Sequence, residues 1–347
     1  MKRILITDDS VFMRSAISRA LDAQPDFKVV GKARDGKEAV ELAKELRPDV
    51  VTMDIEMPEM DGLTALRRIM REAPTRVLMC STLTSEGSMQ SMQALRMGAA
   101  DIIPKDMSTN PEARKLFLDD LVNRIRALGE SKHPARRGAP AAPPPAEHLS
   151  LNLADFDILC IASSTGGPPV LETLLTALPA KLNIPVVIAQ HMPKIFTESM
   201  AKRLDEICPL KVVHAKDGQK LEPGVVCVAP GGAHAHLKAK RGVVRMEVGP
   251  EPSSALYMPS ADVLFGTAAA CYGKKTLAII LTGIGCDGKE GAKPLHDKGA
   301  TVLAQSEGSC VVYGMPRAVI DAGYATAVLT PEQMAEALRE LKPRVAA

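Results

Sequence analysis

The sequence predicts an α/β protein built from two doubly wound parallel sheets, and three observations carry that expectation. Apolar strand-like runs alternate with helix-like periodicity along both halves of the chain. A proline-rich stretch divides those halves, and the 347 residues exceed what one hydrophobic core usually organises. Residues able to do chemistry recur just where apolar runs end, and in an open parallel sheet the carboxyl ends of the strands meet along one edge.

In the first half, strands are expected at Arg3–Thr7, Lys28–Val30, Asp49–Met53, Arg76–Cys80 and Ala100–Ile103, each a short β-branched or apolar run. Helical spacing follows the first of them at Phe12, Ala16, Ile17, Ala20 and Leu21. Asp35 with Glu38 three residues later reads as a capped helix start. Met89, Met92, Leu95 and Met97 mark a helix between the fourth and fifth strands, read chiefly as core packing and secondarily as a docking surface. A last helix places Leu118, Leu121, Val122, Ile125 and Leu128 on one face. Five strands alternating with five helices fit a flavodoxin-like domain over residues 1–128.

Residues 129–150 hold five prolines and no apolar segment suited to burial. They predict a semi-stiff, extended tether. Beyond it, residues 151–347 form the second domain, with strands at Phe156–Ala162, Ile184–Gln190 and Thr276–Leu281. Gly166 and Gly167 allow a tight strand-to-helix turn after the first of these, and Pro168 suits a first helical turn.

Composition excludes several classes. No apolar stretch approaches the roughly 20 residues that span a bilayer, and the start of the chain lacks the apolar core of a secretory leader, so a cytoplasmic protein without membrane insertion is expected. The seven cysteines form no Cys-x-x-Cys pair and read as core hydrophobes. Acidic and basic residues nearly balance in each half, so neither is the basic module that nucleic acid requires.

Asp8 and Asp9 end the first strand, Asp54 ends the third, and Ser81 and Lys105 stand at the ends of the fourth and fifth. Three converging carboxylates repel one another unless a cation intervenes, and hard oxygen donors suit Mg²⁺. A hydroxyl and an ammonium at the same edge can hold a phosphoryl group on a carboxylate. Taken singly, each could be a helix cap or a surface charge. With the run Asp54-Ile55-Glu56-Met57-Pro58-Glu59-Met60-Asp61-Gly62, residues 1–128 resemble a response-regulator receiver domain. The resemblance implies that Asp54 accepts a phosphoryl group from a chemotaxis histidine kinase. It further implies that Asp8, Asp9 and Asp54 hold Mg²⁺ and that Ser81 and Lys105 sense the phosphate. Lys105 is followed by Asp106 where that family usually has proline, and Ile102 stands where it has an aromatic switch residue.

In the second half, Ser164 follows a strand and precedes a helix whose N-terminal N–H groups are expected to stabilise an oxyanion. His191 lies just past another strand, and Asp287 on a glycine-bounded loop past a third. Serine needs an imidazole to take its proton, and the imidazole needs a carboxylate to orient it. Each residue alone has a plainer reading as a helix cap, a surface histidine or a turn aspartate. No phosphate-loop motif is present. His234-Ala235-His236 is a weaker candidate, a pair of imidazoles on one strand face able to bind a metal.

The segments Ser163-Ser164-Thr165-Gly166-Gly167, Gln190-His191-Met192-Pro193, Leu281–Gly288 and Val312-Tyr313-Gly314-Met315-Pro316 are similar to those of the CheB-type chemotaxis methylesterases. The fold class is then an N-terminal flavodoxin-like receiver domain plus a C-terminal doubly wound parallel-sheet hydrolase domain. The resemblance implies Ser164 as nucleophile, His191 as base and Asp287 as its partner. It implies a phosphorylation-regulated hydrolase, needing no cofactor for the ester step, that removes methyl groups from glutamate γ-methyl esters of methyl-accepting chemotaxis receptors and releases methanol. Deamidation of receptor glutamines by the same triad, or a catalytically silent docking protein, are the alternatives. Where that family has a frequent His-Arg-Pro-Ser run, this chain has Tyr257-Met258-Pro259-Ser260.

Overall fold

The computed structural model describes residues 1–105, 110–131 and 151–341. The proline-rich tether expected at 129–150 falls almost wholly outside the described residues, as does Asp106. The chain divides into two compact units, Met1–Ala141 and Ala142–Ala347.

The first unit runs β1 (Lys2–Thr7), α1 (Val11–Asp22), β2 (Phe27–Ala33), α2 (Gly36–Leu46), β3 (Val50–Asp54), α3 (Gly62–Glu72), β4 (Arg76–Thr82), α4 (Ser85–Arg96), β5 (Asp101–Lys105) and α5 (Pro111–Glu130). Its five strands pair in the order β2-β1-β3-β4-β5, all parallel. The strand order reverses between β1 and β3, which opens a crevice at their carboxyl ends. Both faces are covered, which is why Ile4, Leu5, Ile6, Val50, Val51, Val77, Leu78 and Met79 are buried without alternation.

Local chemistry fixes the helix starts. The Ser10 side chain accepts the Met13 N–H and Asp61 accepts that of Thr64. Asp35 accepts from Glu38 N–H as expected, while the Glu38 carboxylate reaches one residue further back, to the Arg34 N–H. Gly62 is needed for space: a Cβ there would stand 1.9 Å from the Asp54 carbonyl oxygen. On α4, Met92 and Leu95 pack inward, whereas Met89 is 70% exposed. Ile102 is buried.

The second unit contains β6 (Ile158–Ser163), α6 (Gly167–Thr176), β7 (Val186–Gln190), α7 (Lys194–Ile207), β8 (Lys211–His214), β9 (Gln219–Lys220), β10 (Val225–Val228), β11 (His234–Lys240) and β12 (Val243–Gly249). It continues through α8 (Ala261–Tyr272), β13 (Thr276–Ile280), α9 (Lys289–Asp297), β14 (Thr301–Gln305), α10 (Met315–Asp321), β15 (Ala327–Leu329) and α11 (Pro331–Arg339). Seven strands form a parallel sheet in the order β15-β14-β13-β6-β7-β10-β8. From β6 the chain first builds toward β7 and later returns to add β13 on the other side, so the ends of β6, β7 and β13 border the switch point. Leu264, Phe265, Ala268 and Ala269 of α8 pack on Cys160, Ala162 and Ile280 in the core. Cys80, Cys160, Cys227 and Cys310 are likewise buried, and only Cys286 among the described cysteines is exposed.

A second sheet, β11-β12-β9, is antiparallel and was not part of the sequence expectation. Its hairpin turns on Arg241 and Gly242, both at positive φ (53° and 77°), the conformation that matches the twist of paired antiparallel strands. Among the described residues no helix is long and apolar enough to cross a membrane.

Candidate functional sites

At the crevice of the first sheet, Asp8 and Asp54 are buried and Asp9 is exposed. One carboxylate oxygen from each of the three lies within 4.8 Å of the others. The Lys105 ammonium sits 2.7 Å from Asp8 Oδ2 and 2.5 Å from Asp54 Oδ2. Asp8 Oδ1 accepts the Ser10 N–H at 2.9 Å, which sets the carboxylate at the entrance to α1. Burial raises the Asp54 carboxyl to about 6, against the pull of Lys105 and helped by the charges of Asp8 and Asp9. One ammonium against three carboxylates leaves excess negative charge, and an all-oxygen donor set of this kind fits Mg²⁺. Ser81 is fully buried and its hydroxyl donates to the Gly87 carbonyl at 3.0 Å, in the first turn of α4. All five residues singled out in the sequence therefore lie at the carboxyl edge of this sheet.

The seven-stranded parallel sheet brings Ser164, His191 and Asp287 to its own carboxyl edge. Ser163 pairs in register with Gln190, so Ser164 and His191 are the next residues on adjacent strand ends. The His191 N–H donates to the Ser163 carbonyl at 3.0 Å. The Ser164 backbone is fixed by its N–H to the Thr282 carbonyl (3.0 Å) and by its carbonyl accepting from Gly167 N–H (2.8 Å) and Gln190 Nε2 (2.9 Å). Gln190 Oε1 takes the Ser163 hydroxyl at 2.6 Å, which commits that neighbouring hydroxyl in a fully buried position. Gly283 lies so close that a Cβ on it would come within 2.7 Å of Ser164 Cβ.

His191 Nε2 and Asp287 Oδ2 are 2.7 Å apart, and Nδ1 is buried without a hydrogen-bond partner. Asp287 is also the anchor of α8. Its Oδ1 accepts from Ser260 Oγ (2.8 Å) and Asp262 N–H (3.0 Å), and its Oδ2 from Ala261 N–H (2.6 Å). Burial works to raise the Asp287 carboxyl, but the hydrogen bond to His191 and the α8 amides overcome it and hold it at about 2. Asp287 therefore stays ionised through the whole range in which imidazoles titrate.

One expectation needs correction. The α6 N-terminus cannot supply a row of oxyanion donors, because Pro168 and Pro169 carry no N–H and the Gly167 N–H is given to the Ser164 carbonyl. The His234/His236 pair also has another role. The rings stand edge to face at 6.2 Å, His236 Nε2 donates to the Glu251 carbonyl (2.7 Å), and His234 Nδ1 accepts the Ser260 N–H (3.2 Å). A backbone N–H can only donate, so His234 is held as the tautomer with a bare Nδ1.

Three residues that sequence reasoning did not assign complete the site. Ser260 joins His234 to Asp287, and Tyr257 stacks on the His191 ring with centroids 4.3 Å apart and planes 7° from parallel. Asp262 Oδ1 accepts the N–H groups of Gly288 and Gly291 at 2.9 and 2.7 Å, tying the Asp287 loop and α9 to α8. Its acidic position in the first turn of a helix was a signal, but only for capping.

Burial foremost, with the neighbouring Asp287 charge, raises Asp262 to about 6 despite those two amides. A carboxyl whose folded pKa lies above its unfolded one costs the fold stability when ionised, a cost present above about 6 and relieved as pH falls toward 4. Asp262→Asn keeps an acceptor for both glycines and is expected to raise the melting temperature relative to the native chain at pH 8, with the gain shrinking at pH 5. Calorimetry at the two pH values checks this. A variant less stable at pH 8 than at pH 5, relative to the native chain, contradicts it.

Comparison with known proteins agrees with this architecture. Residues 159–338 match the family model of the CheB methylesterase, and residues 4–114 that of the response regulator receiver domain. The chain is 43% identical to a protein-glutamate methylesterase/protein-glutamine glutaminase of Oleidesulfovibrio alaskensis, over 97% of this chain and 98% of that protein. It is 41% identical to one of Nitratidesulfovibrio vulgaris over the same shares. The crystal structure of the Thermotoga maritima CheB methylesterase catalytic domain is similar at 42% identity and a TM-score of 0.52, covering 53% of this chain and 98% of that one.

Proposed function

The chain belongs to the CheB methylesterase family, with a receiver domain preceding the hydrolase, and from that premise we propose that it hydrolyses glutamate γ-methyl esters on chemotaxis receptors through Ser164, His191 and Asp287, under control of phosphorylation at Asp54. The observation that carries the reading is the 2.7 Å pairing of His191 with an ionised Asp287 beside a serine on the adjoining strand end. Nε2 is committed to the carboxylate, so Nδ1 is the nitrogen available to the serine proton.

In the acylation half, Ser164 Oγ attacks the γ-carbonyl carbon while its proton passes to His191 Nδ1. The imidazolium that forms is stabilised by Asp287. Collapse of the tetrahedral adduct breaks the bond to the methoxy oxygen, which takes the proton from His191 and leaves as methanol. In the second half water attacks the acyl-serine ester and His191 takes its proton. His191 then returns that proton to Ser164 Oγ, releasing the glutamate side chain. Ser163 is a poor rival as nucleophile because its hydroxyl is buried against Gln190.

Phosphorylation at Asp54 calls for a chemotaxis histidine kinase as phosphodonor. Asp8, Asp9 and Asp54 are the residues that would hold Mg²⁺, which when bound offsets the charge of the incoming phosphoryl group. Lys105 and Ser81 lie at the same edge, where an ammonium and a hydroxyl can hold phosphate oxygens once Mg²⁺ neutralises the carboxylates that Lys105 now bridges. The tether at 129–150 keeps the receiver and the hydrolase at high effective concentration, so a phosphorylation-dependent preference of one for the other suffices for control.

The receptor glutamine side chain is the second substrate of this reading, since several relatives carry both activities in their names. Amide cleavage needs the same proton on a poorer leaving group. Methanol release from methyl-esterified receptor and ammonia release from its glutamine form, measured on one preparation, test the assignment. Methanol release is expected to be the faster. Ammonia without methanol would make the chain a deamidase only, and neither product would leave a docking protein.

A further inference from the structure

We propose that Tyr257 is a positioning residue for the general base: its ring lies flat on the His191 imidazole and fixes the plane in which Nδ1 meets the serine. This rests on the reading of His191 as that base. A single hydrogen bond from Nε2 to Asp287 locates one corner of the imidazole but leaves it free to tilt about that contact. An aromatic face stacked at 4.3 Å, with its plane 7° from parallel, removes the tilt.

The loop that carries Tyr257 is built to keep it there. Its start is held by His236 Nε2 on the Glu251 carbonyl. Its end is held by the Gly232 N–H on the Met258 carbonyl (3.1 Å) and by His234 on the Ser260 N–H. Three residues beyond Tyr257, the Ser260 hydroxyl grips Asp287. One loop thus holds the carboxylate and the face of the imidazole together, and a shift in it moves both. On the far side, a Cβ at Gly285 would stand 3.4 Å from the Tyr257 hydroxyl oxygen, so the phenol also lies across the loop that delivers Asp287. The two histidines gain a purpose from this arrangement, as the posts on which the loop is hung.

Displacements of about 1 Å in a reacting group cost on the order of 100-fold in rate. The test uses the whole chain and methyl-esterified receptor, with kcat and KM measured for Tyr257→Ala, Tyr257→Phe and Ser164→Ala. The expected result is a kcat for Tyr257→Ala about 10- to 100-fold below the native chain, with KM changed less than about threefold, and recovery of most of that loss in Tyr257→Phe. The downfield proton resonance of the His191–Asp287 hydrogen bond should broaden or vanish in Tyr257→Ala and return in Tyr257→Phe, while the melting temperature of both stays near native. A Tyr257→Ala enzyme with native kcat overturns the proposal. So does a rise in KM alone, which would make Tyr257 a substrate wall, or a Tyr257→Phe enzyme as slow as Tyr257→Ala, which would assign the effect to the hydroxyl. Activity persisting in Ser164→Ala would instead remove the triad reading itself.

Discussion

His191→Ala is expected to lower kcat for methyl-ester hydrolysis by about 10⁴- to 10⁶-fold, and adding Ser164→Ala should cost almost nothing more. The two side chains act on one proton, so removing either removes the same step. Asp287→Ala should fall below the native chain by a smaller factor and should also loosen the fold, because its carboxylate accepts from Ser260, Ala261 and Asp262 at the start of α8. Losing it strands those donors in a buried place. Steady-state kinetics on the single and double variants, with a melting curve for each, separate the two effects. Strictly additive losses for Ser164 and His191 would mean that they do not work as a unit.

Asp54→Ala is expected to abolish labelling of the chain by a small phosphodonor, and chelation of Mg²⁺ to abolish it in the native chain. The carboxylate is buried, raised by that burial and by two acidic neighbours, and paired with Lys105. It therefore needs a cation before it can accept a further doubly charged group. Mass spectrometry of the acid-stable or borohydride-reduced adduct reads the result directly. Labelling that survives in Asp54→Ala, or that ignores chelation, would move the acceptor elsewhere. If the receiver governs the hydrolase, the same phosphodonor should raise esterase activity in the native chain and leave Asp54→Ala unchanged.

The sheets and the strand-end residues were legible because parallel strands, covered on both faces, write themselves as continuous apolar runs, and because several carboxylates, or a serine, a histidine and an aspartate, ending such runs in one domain must meet at one sheet edge, although each alone would pass for a cap or a surface charge. Asp8, Asp54 and Lys105 met as the strand order required. The β11-β12-β9 sheet was not foreseen, since β11 mixes lysine, histidine and alanine, the valines of β12 are interrupted by Arg245 and Glu247, and β9 is only two residues long. Tyr257 and Ser260 were seen only as a departure from a familiar run, because nothing local in a polar loop says which distant ring or carboxylate it will touch. His234 and His236 offered only a weak metal reading, and their actual role was hidden for the same reason: spacing places two imidazoles on one face, but their partners, Ser260 and Glu251, come from the next loop. The limit on oxyanion donors, by contrast, was written in Pro168-Pro169 and could have been read there.

The claim on which the rest depends is that Ser164 performs ester hydrolysis, and methanol release from a methyl-esterified receptor fragment tests it most directly. With equal amounts of correctly folded native chain and Ser164→Ala, the account predicts steady methanol release from the first and none above the no-enzyme rate from the second. Native-rate methanol release by Ser164→Ala, or loss of release in Ser163→Ala instead, would contradict it.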